Sequence, residues 1–228
     1  LESFFRPQLS DLPHPSLMQD MEKATDLVVD AISNNHLIYI WGDYDVDGIT
    51  STALLYSFFR ELGVAAKVYI PDRLSEGYGL NLKKLKEITE EEGGEKLLIT
   101  VDCGISNHEE VIFAQENGIK VIITDHHNVP EKKVSADAVI NPKQKGCCFP
   151  YKFLAGVGIA FYLAASVKSK ITNSVAKYVN YSINMKHFLG YVSLGTVADV
   201  MPLDGINRIL VRGGFEVLSG EMCPPGLK

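Results

Sequence analysis

The chain has 228 residues, 46% of them apolar, and a formal charge of −6, enough to bury a sizeable core in one large domain with at most a small appendage. That charge excludes attraction to nucleic acid through a bulk positive potential, so any phosphate binding has to come from metals and local basic residues. Four cysteines, two of them adjacent at Cys147 and Cys148, lack the spacing of a disulfide framework or a zinc site. The longest uncharged apolar stretch, Phe153 to Val167, falls short of the roughly 20 residues of a membrane span, and the reading is of reduced thiols in a cytoplasmic protein.

In chain order, residues 1–15 are Pro-rich and expected to be extended. Leu17, Met21, Ala24, Val28 and Ala31 then space an amphipathic helix that Asn34 and Asn35 end. Strands are expected near 37–42, 66–70, 97–102, 120–124 and 136–140, and helices near 49–62, 81–92, 107–117, 154–168 and 174–189. This alternation predicts an α/β fold, a parallel sheet of about five strands with helices on both faces, followed by a mostly helical C-terminal part. The division is an N-terminal segment and helix over 1–35, an α/β core over 36–150 and a helical part of the same domain over 151–228. Gly156 and Gly158 allow close backbone approach near the start of the 154–168 helix.

The chemistry concentrates at strand ends. Tyr39-Ile-Trp-Gly-Asp-Tyr-Asp-Val-Asp-Gly48 places Asp43, Asp45 and Asp47 at alternating positions after an apolar run. In an extended chain such carboxylates project one way, and three held together call for a hard divalent cation. Leu97 to Asp102, with Ser106 as a helix cap, and Val121 to Asp125-His126-His127 repeat the layout. Parallel strands bring such tips to one edge of the sheet, where α/β proteins bind ligands. Asp199, at no clear strand end, is a fourth candidate carried back by the helical part. A lone Asp after a strand is often only a helix cap and a lone His pair a polar loop, but unrelated caps have no reason to fall at successive strand ends. The six carboxylates Asp43, Asp45, Asp47, Asp102, Asp125 and Asp199 equal the chain's whole acidic excess.

Asp43-Tyr-Asp-Val-Asp-Gly48, Val101-Asp-Cys-Gly104, Asp125-His-His127 and Gly195-Thr-Val-Ala-Asp199 resemble the four motifs of the DHH phosphoesterase superfamily. Pro71-Asp-Arg-Leu-Ser-Glu-Gly-Tyr-Gly-Leu-Asn81, Asn141-Pro-Lys143, Leu154-Ala-Gly-Val-Gly158, Ala198-Asp-Val-Met-Pro-Leu203 and Asn207-Arg208 resemble its RecJ-like branch of single-strand-specific 5′→3′ exonucleases. The resemblance implies a two-metal phosphodiesterase of DNA repair and recombination, using Mn2+ first and Mg2+ as the alternative. It implies single-stranded DNA as substrate, a single-strand-binding protein and a helicase as partners, and no membrane. By resemblance Asp45 and Asp47 divide between the metals with Asp43 alongside, Asp102 bridges, His126 and Asp199 complete the second site, and Gly156 and Gly158 belong to the substrate-binding set. Relatives of this branch continue into a second, DHHA1-like domain and a nucleic-acid-binding module, which are expected to be absent here.

The residues support that chemistry independently. Two cations about 3.5–4 Å apart activate a water and stabilise both attacking and leaving oxygens, and an imidazole among carboxylates favours manganese over magnesium. His127 is expected to face the scissile phosphate as a stabiliser or general acid, Asp125 to orient a histidine, and Arg73 either to clamp a phosphate bidentately or to stand as a solvated surface arginine. The alternatives are a DHH-type phosphodiesterase of short oligonucleotides or cyclic dinucleotides, and a non-catalytic replication scaffold that would have lost ligands. A pyrophosphatase of the superfamily would carry histidine where Trp41 stands.

Overall fold

The segments Leu37–Gly42 (β1), Ala66–Tyr69 (β2), Lys96–Val101 (β3), Ile119–Thr124 (β4) and Ala138–Ile140 (β5) pair as one parallel sheet in the order β2-β1-β3-β4-β5. The computed structural model describes residues 5–175, 182–221 and 223–227. Registers Gly42↔Val101, Val101↔Thr124 and Thr124↔Ile140 level the carboxyl ends of four strands. The chain's direction of travel across the sheet reverses between β1 and β3, the place where open α/β sheets open a crevice at those ends. β1, β3 and β4 are buried almost throughout, because helices cover both faces.

On one face, Met21–Ser33 (α1), Val46–Glu61 (α2) and Gly156–Ser174 (α5) enclose a core with Phe58, Leu54, Ile40 and Ile99. On the other, Leu82–Glu90 (α3) and His108–Glu116 (α4) pack Leu85, Ile88 and Val111 on Trp41, Leu98 and Val121. Leu189–Ala198 (α6) and Gly205–Leu218 (α7) extend the first core through Val192 and Leu210. The α/β fold with a helical C-terminal part is as expected, and α5, α6 and α7 pack into the core built by 36–150.

Local departures have physical causes. Leu17 lies outside α1, in a short 3-10 turn at Pro15–Leu17, and a second such turn at Leu9–Asp11 replaces the extended segment expected there. The helix cap at 106 is corrected to Asn107, whose carboxamide is engaged by the Leu80 backbone instead of by its own helix. The helix expected over 174–189 falls partly on 176–181, outside the described residues. Beyond them, 182–184 are irregular and a 3-10 turn at Met185–Phe188 feeds α6, which with α7 was not anticipated. Asn34 and Asn35 do end α1: Asn35 is left-handed (φ 56°), with its N–H on Ile32 O and that of His36 on Ala31 O, the double bond of a Schellman turn. The lysines at 83 and 86 form the exposed face of α3, while Lys84 pairs with Glu87 at 2.7 Å.

Candidate metal centre

β1 ends at Gly42, and the turn that follows folds so closely that a Cβ on Gly48 would lie 2.4 Å from the Asp43 carbonyl oxygen. The three acids of this segment therefore do not alternate along an extended chain, which corrects the premise on which they were grouped. Asp43 is buried in the turn and accepts the Tyr44 N–H at 2.7 Å; Asp45 is exposed and caps α2 by accepting the Gly48 N–H at 2.9 Å. Asp47, buried in the first turn of α2, accepts N–H bonds from Gly156 (2.6 Å) and Val157 (2.9 Å) at the start of α5.

Asp102 follows β3 in the left-handed region (φ 61°), its N–H on Thr124 O at 3.0 Å. This turn aims its carboxylate at His126, whose Nε2 lies 3.1 Å from Asp102 Oδ1, 3.5 Å from Asp199 Oδ2 and 3.8 Å from Asp47 Oδ2. Asp199 arrives as the C-cap of α6. The crossing of α6 over α2 is permitted by Gly195, where a Cβ would meet Thr50 Oγ1 at 2.4 Å and Asp47 Oδ1 at 2.8 Å. Three overlapping groups have potential ligand atoms within 4.8 Å of one another: Asp43, Asp45 and Asp102; Asp47, His126 and Asp199; Asp102, His126 and His127. All six expected ligands are brought together.

Around them lies a supporting layer. Asp125, fully buried, accepts the Ile105 N–H at 2.9 Å on Oδ2, while its Oδ1 contacts the His127 N–H (2.9 Å) and Nδ1 (2.8 Å). Asn141 donates to His127 O at 2.9 Å. Arg73 is exposed, its guanidinium 5.2 Å from the Tyr44 ring centroid, beside Asp43 and Asp45 in sequence. Gly156 and Gly158 are buried, with their amides on Asp47 and on Ala155 O. A Cβ on Gly156 would lie 2.8 Å from Asp102 Cβ and Oδ1, so the contact this glycine makes is with the acids of the centre. Tyr78 was missed: its hydroxyl donates to Asp102 O (3.2 Å) and lies 3.3 Å from His127 Nδ1. The signal for it was Gly77-Tyr78-Gly79, two glycines at φ 80° and 81° that fold the chain back, with Trp41 Nε1 donating to Gly79 O.

The charges are arranged for a cation. Burial, then the neighbouring acids Asp47 and Asp45, pushes Asp102 up to about 11. Burial pushes Asp47 up to about 7 against the Val157 and Gly156 amides, and raises Asp43 and Asp199. Burial, with the charge of His127, brings His126 down to about 4, leaving it neutral. Burial alone would raise Asp125, but His127 holds it low and is raised in turn by its bond to Asp125. Both oxygens of Asp102, Asp199 Oδ2 and His126 Nδ1 are buried without a hydrogen-bond partner among the described residues. A carboxylate and imidazole set left this way fits divalent cations, which would reverse the upward shifts.

That fit has a measurable consequence. Acids whose folded pKa is raised from 3.8 stabilise the fold below that value and lose the contribution as pH climbs, through about 7 for Asp47. His126, depressed from 6.5, acts oppositely below pH 6.5. From pH 6.5 to 8 the melting temperature of chelated protein is therefore expected to fall, and saturating Mn2+ to remove most of the fall and raise Tm by several degrees. A flat metal-free profile that Mn2+ leaves unmoved would count against a cation site.

A parallel α/β sheet whose strand tips deliver four aspartates and a histidine to one point defines a metal-binding phosphoesterase class, and the chain belongs to the DHH family, whose N-terminal domain matches residues 37–196. Within it the chain is 40% identical over 220 residues to the single-stranded-DNA-specific exonuclease RecJ of Haemophilus influenzae, covering 96% of this chain and 38% of that protein. The RecJ of Escherichia coli is 40% identical over 214 residues, covering 92% and 37%. A crystal structure of exonuclease RecJ bound to manganese superposes with a TM-score of 0.76 at 33% identity, over 88% of this chain and 48% of that one. The chain thus spans under two fifths of the length of these curated relatives. Among the described residues no helix is long and apolar enough to cross a membrane, and the four cysteines are free.

Proposed function

We propose that this chain is the catalytic DHH domain of a two-metal, single-stranded-DNA-specific 5′→3′ exonuclease that releases 5′-mononucleotides, with residues 36–150 and 151–228 working as one unit. The observation that carries this reading is the convergence of Asp102 and His126 with Asp47 and Asp199, with both Asp102 oxygens unpartnered. The RecJ relatives, among them structures bound to manganese and to magnesium, supply the substrate class and the cations. Asp43, Asp45 and Asp102 would hold one ion and Asp47, His126 and Asp199 the other, with Asp102 shared. When bound, such a pair activates water and stabilises charge on the reacting oxygens.

The protein's own groups do the rest. Asp125 fixes the His127 ring through Nδ1, so the protonated imidazole presents Nε2–H, a donor for the oxygen that leaves. Arg73, supported on Tyr44, offers a planar fork to a second phosphate. Gly156 and Val157 hold Asp47 in one rotamer, which keeps the ligand set preorganised. A replication scaffold would have shed ligands, and here the set is complete. The same kinship supports a role in repair and recombination in the cytoplasm, with a single-strand-binding protein and a helicase as the partners to be tested.

The test is incubation with Mn2+ and 5′-labelled single-stranded DNA beside a matched duplex. Labelled mononucleotide is expected from the single strand and lost on chelation. Equal cutting of duplex, or no cutting together with no metal-induced rise in Tm, would overturn the reading.

A further inference from the structure

Three of the described helices end in the same double-bonded turn on a left-handed residue, α2 doing so on Gly63 (φ 69°). In α1 that residue is Asn35, a type that tolerates the conformation. In α6 it is Val200 (φ 56°), with its N–H on Val197 O and that of Met201 on Thr196 O, both at 3.2 Å. A β-branched side chain is among the least suited to this backbone, where glycine would relieve the strain. Packing does not compensate, because Val200 is 85% exposed. Neither the helix end nor the core accounts for a valine here.

Its position does single it out. Val200 directly follows Asp199, whose carboxylate lies 3.5 Å from His126. Val197, in the same turn, is 43% exposed, and α6 crosses α2 at Gly195 against Asp47 and Thr50, where Val46 and Ile49 of α2's first turn are 47% and 46% exposed. Exposed apolar residues therefore neighbour the acids Asp45, Asp47 and Asp199 along α2 and α6, and the most exposed of them sits on a strained backbone, a form of strain that gathers at functional sites.

We infer that Val200 is a specificity-determining residue, whose side chain makes apolar contact with an unpaired nucleobase next to the phosphodiester in the metal centre. This rests on the function proposed above. Bases of a single strand offer apolar faces that pairing and stacking hide in a duplex, and aliphatic side chains wedge against such faces. A side chain fixed by a turn with two backbone hydrogen bonds loses little freedom on making the contact.

The experiment uses Val200→Gly and Val200→Ile with Mn2+, a labelled single-stranded oligonucleotide, the same oligonucleotide with abasic 5′-terminal positions, and the base-free ester bis(p-nitrophenyl) phosphate. Val200→Gly is expected to raise Tm by about 2–4 °C and to lower kcat/KM on the oligonucleotide, relative to that on the base-free ester, by about tenfold, mainly through KM. The abasic substrate should erase the difference from the parent, and Val200→Ile should keep the parent's ratio. An unchanged ratio, equal losses on all three substrates, or a fall in Tm for the glycine variant would overturn the contact while leaving the proposed function standing. A parent protein inactive on the oligonucleotide and the ester alike would overturn the proposed function, and the contact with it.

Discussion

Asp102→Asn is expected to slow hydrolysis by about a thousandfold or more while making the metal-free protein harder to melt. The loss follows from position: Asp102 is common to two of the three ligand groups, and its two oxygens face the centre with no other partner. An amide there takes away one negative charge and turns a donor toward the place of a cation, which removes both binding and charge stabilisation. The gain follows from the same burial. A carboxyl whose pKa is pushed up to about 11 opposes folding at neutral pH, and the neutral amide does not. Single-turnover rates with Mn2+ and melting curves in chelator at pH 7.5 test both halves, with a Tm rise of about 2–4 °C expected. A variant that melts lower without metal yet keeps the full Mn2+ response would contradict the assignment.

Phe58→Ala is the second large effect, and it acts at a distance from the acids. Phe58 is wholly buried, edge to face with Phe188 at 6.2 Å between ring centres and next to Phe59 at 5.7 Å. It belongs to α2, which begins at the Asp47 turn, and Phe188 is the N-cap of α6, which ends at Asp199. Emptying that space is expected to cost about 3–5 kcal/mol, or about 10 °C in Tm, and to weaken Mn2+ binding by loosening α6 against α2. Denaturant unfolding with and without Mn2+ measures both. A loss below about 1 kcal/mol would mean that the two helices are held by something other than this aromatic contact.

The sheet was legible in the sequence because its three central strands are buried on both faces and so appear as mostly apolar runs ended by an acid. The tips at Asp102 and Asp125 could be placed for that reason. Asp43, Asp45 and Asp47 were grouped on a mistaken geometry: a tight turn closed by Gly48 keeps Asp45 with Asp43, and the first turn of α2 carries Asp47 to a separate group with His126 and Asp199. The helical part was harder to read. Leu189–Ala198 is apolar with little polar contrast around its circumference, since it is enclosed by α2, α5 and α7, and enclosed helices show no amphipathic period. Tyr78 escaped because its neighbours are glycines whose dihedrals, not their composition, aim it. Asn107 in place of Ser106 is a difference of one residue, decided by a tertiary bond to Leu80 that no local pattern contains.

The bond from the Gly156 amide to Asp47 joins residues 109 positions apart, and Asp199 enters later still. Chains emerge from the ribosome N-terminus first, so the acids of the first strand tips are made well before the helices that gather them. Until α5 and α6 have docked, the group of Asp47, His126 and Asp199 lacks Asp199 and the amides that hold Asp47. A chain stalled in synthesis, clipped before residue 156 or folded only as far as its sheet carries the sequence motifs without the full ligand set, which is gathered only when α5 and α6 dock.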